Sequence, residues 1–547
     1  MDASAVARAT GDFATTGELR WLPGLTSAAF SAADITACAG QLREPLHIVR
    51  GAAGYEPGVG LHGSVVAAAP GAGYELLGSL PPMYPEWLGD RSFARVHGVR
   101  FPYVAGEMAN GIATTSLVVA MARAEMLGFF GAAGLALPVI ERAVAELANT
   151  LRGARNWGVN LIHTPAEPGH EDNVVDLLLR ANVPKVCASA FMELTPAVVR
   201  CAVVGLRPDR DGGVARARHL FAKVSRPEVA ARFLAPAPTE ILRALVDRRQ
   251  ITEDEARLAQ RVPLAEDVTV EADSGGHTDN RPLAVVLPAV RAVRDDIARR
   301  HGYVRPIRVG AAGGLGDPAA VAAAFAAGAA YVLTGTINQL AVEAGLSEAA
   351  KALLAKADLS DVVMAPAADM FEIGVRVQVL RRGTMFAARA KQLYDVYLAY
   401  PSLAEVPAPV RDRIEKDILR ETFEDAWART RRFWAERDPR EVDRAEHDAR
   451  HRMALVFRSY LGLSSRWAID GEPTRQADYQ IWCGPAIGTF NNWVAGSPLA
   501  ESGRRTVVQI ALNLLEGAAV VTRAHQLRTY GVAVPDDAFV HRPRLLS

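Results

Sequence analysis

The sequence predicts an α/β protein: a (β/α)8 TIM barrel with an N-terminal extension, a helical insertion and a C-terminal helical appendage. The first observation is that, from Phe101 onward, short apolar runs alternate with helical stretches, a pattern typical of parallel strands that helices bury. The second is that this alternation occurs eight times before residue 336, within the length of a single barrel domain.

Each predicted strand is a short, mainly apolar run, and most are followed by a segment with helical periodicity. The strands are Phe101–Ala105, Leu127–Phe130, Gly158–Ile162, Lys185–Ala188, Leu220–Val224, Val268–Glu271, Ile307–Gly310 and Tyr331–Leu333. The helices between them are Thr115–Glu125, Leu137–Asn149, Glu171–Ala181, Thr195–Val204, Pro282–His301 and Pro318–Ala327.

Four segments follow from this pattern. Residues 1–98 form an N-terminal extension and connector, in which Ser31–Leu42 has a helical pattern and Leu46–Val49 that of a strand. Residues 99–345 form the barrel, and the long helical stretch at about 235–263 is an insertion on its catalytic face. We expect residues 346–440 to be a helical continuation and residues 441–547 a C-terminal helical appendage.

Composition excludes several classes of function. Lys plus Arg equal Asp plus Glu at 61 each, which gives no general reason to expect nucleic acid or an anionic membrane as partner. The four cysteines form no C-x-x-C pair, so neither a metal site nor a disulfide framework is indicated. Residues 1–13 lack a signal-peptide pattern, and no run of about 18 uncharged apolar residues occurs. We therefore expect a soluble, cytoplasmic protein.

The segment 267–281, DVTVEADSGGHTDNR, is the strongest candidate for a site. A β-branched strand ends there in Gly275 and Gly276, which allow a flat ligand to approach the backbone, and His277 follows them. An imidazole titrates near neutral pH, so the same loop supplies a proton donor. The alternative interpretation is a glycine turn with a surface histidine.

A glycine-rich loop follows the seventh predicted strand. Gly313 and Gly314 precede a helix that Asp317 is expected to cap, so backbone amides there point towards an anion. The segment also fits a loose dinucleotide fingerprint, but no acidic residue ends the next strand as that fold requires. Gly335 and Thr336 follow strand eight, and glycines at these two positions form the usual phosphate site of a barrel. Two structural turns are the alternative.

Other strand ends carry small or polar residues. Lys223 lies in an apolar run of strand five, which indicates either an electron-rich ligand or a salt bridge to a neighbouring carboxylate. A flat ring with a phosphate tail explains these strand ends jointly, and flavin mononucleotide (FMN) is the natural candidate. The remaining candidate contacts are Ala105, Gly106, Met108 and Asn160, with His163 more plausible as a structural histidine.

These motifs resemble a known family. FPYVAGEMANGIA, NLIHTPAEP, AKVSR, EADSGGHTDNRP, YVLTGTINQ, MAPAADMFEIGVRVQVL and YQIWCGPAIGTFN together are similar to the PfaD family of trans-acting enoyl reductases, which serve polyunsaturated fatty acid and polyketide synthases. The barrel part also resembles the wider nitronate monooxygenase-like superfamily. One departure is Glu107, where the resemblance leads us to expect a small residue.

The resemblance implies an FMN-dependent reduction of 2-enoyl thioesters on an acyl carrier protein, with NADPH or NADH as reductant. It also implies that His277 is the active-site histidine. Two rival functions remain: nitronate oxidation, and a non-catalytic scaffold that docks synthase modules. The sequence leaves open whether the chain forms a homodimer.

Overall fold

The computed structural model describes residues 18–51, 56–68, 72–164 and 167–546. Eight parallel strands close into a barrel in chain order, which confirms the predicted (β/α)8 fold. Each observed strand agrees with its predicted counterpart to within two residues. The strands are β1 (Tyr103–Ala105), β2 (Leu127–Phe130), β3 (Trp157–Ile162), β4 (Lys185–Ser189), β5 (His219–Val224), β6 (Asp267–Glu271), β7 (Arg308–Ala312) and β8 (Val332–Thr334).

Helices cover the outside of the barrel, and side-chain caps start several of them. The hydroxyl of Thr114 accepts from Leu117 N, and the carboxylate of Asp317 accepts from Ala320 N, as predicted for the helix after β7. The barrel helices are Thr115–Arg123, Leu137–Thr150, Pro168–Arg180, Pro196–Val203, Pro227–Leu234, Leu283–His301 and Pro318–Ala326. The insertion contains the helices Thr239–Asp247 and Glu253–Ala259. It follows the helix Pro227–Leu234 and leads into the start of β6, so it lies at the amino-terminal end of the barrel and not on the catalytic face, which corrects the prediction.

The segment 346–440 is not purely helical, which corrects the prediction. Two strands, β9 (Val362–Pro366) and β10 (Arg376–Leu380), form an antiparallel pair, and Gly276–His277 adds a short third strand to β10. The alternation Val375, Val377, Val379 is a strand signal that the helical interpretation overlooked. The later helices are Glu348–Leu354, Phe386–Ala399, Ala408–Arg413, Phe423–Arg437, Pro439–His447, Ala449–Asp470, Ala486–Val494 and Val507–Thr529.

The N-terminal extension contains more β-structure than predicted. Besides the helix Ala32–Ala39, five antiparallel strands form one sheet, in the order Pro57–Leu61, Leu46–Arg50, Tyr74–Leu80, Glu18–Leu22 and Ser64–Ala68. Glycine is normally depleted in strands, which is why this sheet is hard to recognise. Here Gly60 and Gly63 make room for Trp21, since a Cβ on either would lie 2.6 Å or less from its indole ring.

The chain forms two compact units, which divide it differently from the four predicted segments. One comprises residues 1–87 and 514–542, and the other comprises residues 88–513 and 543–547, including the barrel. The helix Val507–Thr529 is long and apolar enough to cross a membrane by length and composition alone, but 78% of its most apolar window is buried inside the protein. Residues 1–13, on which the signal-peptide expectation depends, lie outside the described residues.

Candidate functional site

Charged side chains from three strands meet at the carboxyl-terminal mouth of the barrel. Lys223 Nζ lies 2.9 Å from Glu107 Oε1, just after β1, and 3.2 Å from Glu271 Oε1, the last residue of β6. Burial disfavours the ammonium form, but the two carboxylates more than offset this and raise the pKa of Lys223 above its ordinary value. Of the two interpretations of Lys223, the structure therefore shows the salt bridge.

Glu107 is the most deeply placed member of this group. Its side chain is 5% exposed, and Oε2 is buried with no hydrogen-bond partner among the described residues. The Cys187 thiol on β4 donates to Oε1 across 3.5 Å, and burial followed by the charge of Glu107 raises the pKa of that thiol. A buried carboxylate oxygen without a donor is costly, which makes this atom a candidate ligand contact.

The loop after β6 presents His277 at the same mouth. Gly276 has φ +84°, a conformation that favours glycine, and His277 then pairs with Val377 of β10. His277 Nε2 lies 3.1 Å from Asp369 Oδ1, in the loop between β9 and β10. Burial lowers the pKa of His277, but the Asp369 carboxylate reverses the effect, so the net shift is upward. The Asp369 carboxylate therefore favours the charged form of the imidazole.

The loop of His277 connects to the Lys223 group through Ser274. Its hydroxyl donates to Glu271 Oε1 at 3.2 Å, the oxygen that also accepts from Lys223. A Cβ on Gly313 would lie 2.8 Å from the carbonyl carbon of Ala272, so the turn after β7 packs directly against the loop after β6. The structure thus brings His277, Lys223 and the Gly313 turn to one mouth, while their individual roles stay predictions.

Two of the predicted phosphate-loop glycines leave open space at the mouth. A Cβ on Gly314 would meet nothing within 4 Å, and one on Gly335 would meet only Met108 Cγ at 4.0 Å. Gly313 and Gly316 differ from them, because a Cβ on either would collide with other parts of the chain. The Thr336 hydroxyl accepts from Gly484 N at 3.1 Å, so it is already used within the protein.

The other predicted contacts are less exposed. Ala105 is fully buried in β1, and a Cβ on Gly106 would lie 2.4 Å from Leu333 Cδ2, so both pack tightly against β8. Asn160 donates to Cys187 O at 3.0 Å and to Ser189 Oγ at 2.9 Å, which fixes its amide inside the barrel. His163 Nδ1 lies 3.0 Å from Glu171 Oε2, in accordance with a structural histidine.

The segment 480–484, QIWCG, was not predicted to reach the site. Cys483 N donates to Gln378 O on β10, and Gln339 donates to Trp482 O beyond β8. Gly275 and Gly484 pack back to back, since a Cβ on either would lie 2.9 Å from the backbone of the other's segment. These contacts explain why a glycine precedes Gly276, and no local pattern could have revealed the partner.

Comparison with known proteins places this chain in a family. A family model described as nitronate monooxygenase matches residues 252–420, and one described as acyl-carrier-protein S-malonyltransferase, inserted helical domain, matches residues 400–479. The enoyl reductase domain of MlnA, from the macrolactin biosynthesis cluster of Bacillus amyloliquefaciens, is similar with a TM-score of 0.77 and 34% identity. That match covers 81% of this chain and 99% of that one.

Two curated relatives are longer proteins. One is a component of the polyunsaturated fatty acid synthase of Thraustochytrium sp. (strain ATCC 26185 / S-3), to which the chain is 44% identical over 83% of its own length and 31% of the relative. The other is the polyketide biosynthesis protein PksE of Bacillus subtilis (strain 168), to which it is 41% identical over 81% of its own length and 58% of the relative. The chain thus spans about a third of the length of the first relative and somewhat over half of the length of the second.

The barrel and the first family model define the class, which is the nitronate monooxygenase-like superfamily of barrel proteins. Within that class, the chain belongs to the PfaD-type family of trans-acting enoyl reductases, as the relatives and the MlnA domain show. The resemblance found in the sequence is thereby confirmed.

Proposed function

We propose that the chain is an FMN-dependent enoyl reductase that acts in trans, reducing 2-enoyl thioesters on acyl carrier protein domains with NADPH or NADH. The observation that carries the proposal is the match to the MlnA domain, which is named an enoyl reductase and of which this chain covers 99%. The names of the longer relatives support a polyketide or polyunsaturated fatty acid synthase as partner. We also propose a cytoplasmic location.

The residues at the mouth fit a flavin phosphate. Gly314 and Gly335 border open space, so their backbones are accessible to a bulky anion. The helix Pro318–Ala326 starts beside Gly314, and the amides of a helix N-terminus favour negative charge. Gly314, Gly335 and the amides that follow them would hold the phosphate. The unpartnered Glu107 Oε2 and the half-exposed His277 would face the ring side of the mouth.

A flavin bound at this mouth would supply a hydride to the β-carbon of the enoyl thioester. The chain's own residues must then protonate the α-carbon, which completes the addition of two hydrogens across the double bond. His277 Nε2 is engaged by Asp369, so the proton to be transferred is the one on Nδ1. Asp369 acts as a positioning residue that orients the ring and favours its charged form.

Anaerobic spectroscopy tests the proposal. We expect purified protein reconstituted with FMN to show flavin absorbance, which NADPH or NADH bleaches and crotonyl thioester restores. Retention of the bleached spectrum after thioester addition would contradict enoyl reduction. A colourless protein that takes up no FMN would instead favour a docking scaffold.

Nitronate oxidation is the second candidate, because the nitronate monooxygenase model matches residues 252–420, which include His277 and Asp369. In that reaction the imidazole removes a proton instead of donating one. The raised pKa favours the charged ring, which would have to lose its proton before acting as this base. Nitroalkane-dependent oxygen uptake that exceeds NADPH-dependent thioester reduction would favour this second function.

A further inference from the structure

The Lys223 group carries more negative than positive charge. One ammonium lies between two carboxylates, Glu107 at 2.9 Å and Glu271 at 3.2 Å, so the formal net charge of the group is −1. The exposed fractions of the three side chains range from 5% to 20%, so solvent screens this charge poorly. In the part of the chain that the structure describes, no other Lys or Arg forms an ion pair with either carboxylate.

Glu107 is not needed to neutralise Lys223. Glu271 alone supplies a counter-charge, and Ser274 supports it with a hydrogen bond. Glu107 instead adds a second buried carboxylate, and its Oε2 has no partner among the described residues. Burying a second carboxylate costs several kcal/mol of folding free energy, which sharing one ammonium with Glu271 offsets only in part. The added negative charge at the mouth is thus a feature that packing does not explain.

We propose that Glu107 lowers the reduction potential of the flavin bound at this mouth, an inference that rests on the proposed function. A reduced flavin gains negative charge on its ring, and a buried carboxylate nearby destabilises that form relative to the oxidised one. A pair of Lys223 and Glu271 alone would be neutral and would not destabilise the reduced flavin in this way. The extra carboxylate therefore makes the reduced cofactor a stronger hydride donor.

The midpoint potential of the bound flavin tests this, measured by anaerobic reduction against a reference dye. Glu107→Gln preserves the shape of the side chain and removes its charge. We expect the reduced flavin to bind at least tenfold more tightly relative to the oxidised form, a rise in potential of about 30 mV for a two-electron couple. Lys223→Gln removes the cation and should lower the potential.

Two further variants serve as controls. Glu107→Asp keeps the charge and should shift the potential less than Glu107→Gln does. Glu193→Gln removes an exposed carboxylate that pairs with Arg232, and its flavin should keep the parental potential. The comparison separates a local effect of Glu107 from a general change in net charge.

The outcomes distinguish the inference from the proposed function. If Glu107→Gln binds flavin with the parental potential, the inference is overturned while the reductase assignment stands. If Glu107→Gln does not fold or hold flavin, Lys223→Gln decides, and an unchanged or raised potential there overturns the inference. If the parental protein binds no flavin at all, the proposed function fails and the inference fails with it.

Discussion

The two ends of the barrel both hold buried charges, but they use them differently. Strand β6 begins with Asp267 and ends with Glu271, and β5 begins with His219 and has Lys223 near its end. At the amino-terminal end of the barrel, here called the base, Arg308 donates two hydrogen bonds to Asp267, of 2.6 and 2.8 Å. At the mouth, Lys223 forms ion pairs with both Glu107 and Glu271, and Glu107 Oε2 has no hydrogen-bond partner among the described residues. The base is arranged for stability, and the mouth for a ligand.

The surroundings of Asp267 support this contrast. Burial opposes its charge, but His97 and Arg308 outweigh that and lower the pKa of Asp267. Burial lowers the pKa of His219 to about 2 and that of Lys185 to about 7. Burial therefore disfavours further positive charge at this end of the barrel. The unpaired atoms there include the ring nitrogen His219 Nδ1. A neutral nitrogen without a partner costs less than an unpaired carboxylate oxygen.

The largest effect should come from removing the ion pair between Asp267 and Arg308 at the base of the barrel. Asp267→Ala leaves Arg308, whose side chain is 2% exposed, as a buried cation without its partner. We expect a loss of about 3–5 kcal/mol in the free energy of unfolding, measured by denaturant titration with circular dichroism. Asp254→Ala, at an exposed pair with Arg257, should change it by less than about 1 kcal/mol. Equal free energies of unfolding for Asp267→Ala and Asp254→Ala would contradict the stabilising role given to the base of the barrel.

At the mouth, His277→Ala should affect the reaction and spare the fold. We expect kcat for enoyl thioester reduction to fall by about 10²–10⁴-fold because the proton donor is lost. Flavin content and melting temperature should match those of the parent. The exposed His447→Ala is the control and should be fully active. Parental turnover by His277→Ala with flavin bound would remove the histidine from the mechanism.

Asp369→Asn should change the pH profile of the reaction. Burial opposes the charged imidazole, as does Lys223, but Asp369 and Glu271 favour it, and the net effect raises the pKa of His277. The protonated ring is the acid, so activity persists below this pKa and is lost as the pH rises through it. Without the Asp369 charge, the alkaline limb of kcat/KM should move to lower pH, with about a tenfold loss at alkaline pH. Asp369→Glu keeps the carboxylate and should return the alkaline limb to its parental pH. If Asp369 has a purely structural role, the alkaline limb of Asp369→Asn should stay where it is in the parent.

An effect of similarly small size should come from Gly335→Ala. Its Cβ would enter open space at φ −125°, so the melting temperature of the flavin-free protein should not change. The methyl group would occupy the space proposed for the phosphate, and we expect FMN to bind about tenfold more weakly, a loss of about 1.4 kcal/mol. Gly462→Ala also places a methyl in open space, within the helix Ala449–Asp470, and should bind FMN like the parent.

The barrel could be predicted from sequence because its signals are local. Each strand and its helix lie within one stretch of the chain, and the cap at Asp317 was visible in the sequence. The partners of the site residues were not predictable in this way. Asp369 lies 92 residues beyond His277, and only the β9–β10 hairpin, which was taken for helix, brings them together. For Lys223, the sequence offered a salt bridge as one of two interpretations but did not identify Glu107 as a partner.

The segment that ends at Gly484 has a consequence for synthesis in the cell. Its bond to the Thr336 hydroxyl joins residues 148 positions apart, so the mouth is incomplete when the ribosome has just finished β8. At about 5–20 residues per second, the missing wall follows roughly 7–30 s later. We therefore expect the nascent barrel to acquire its cofactor only after the segment that ends at Gly484 has left the ribosome.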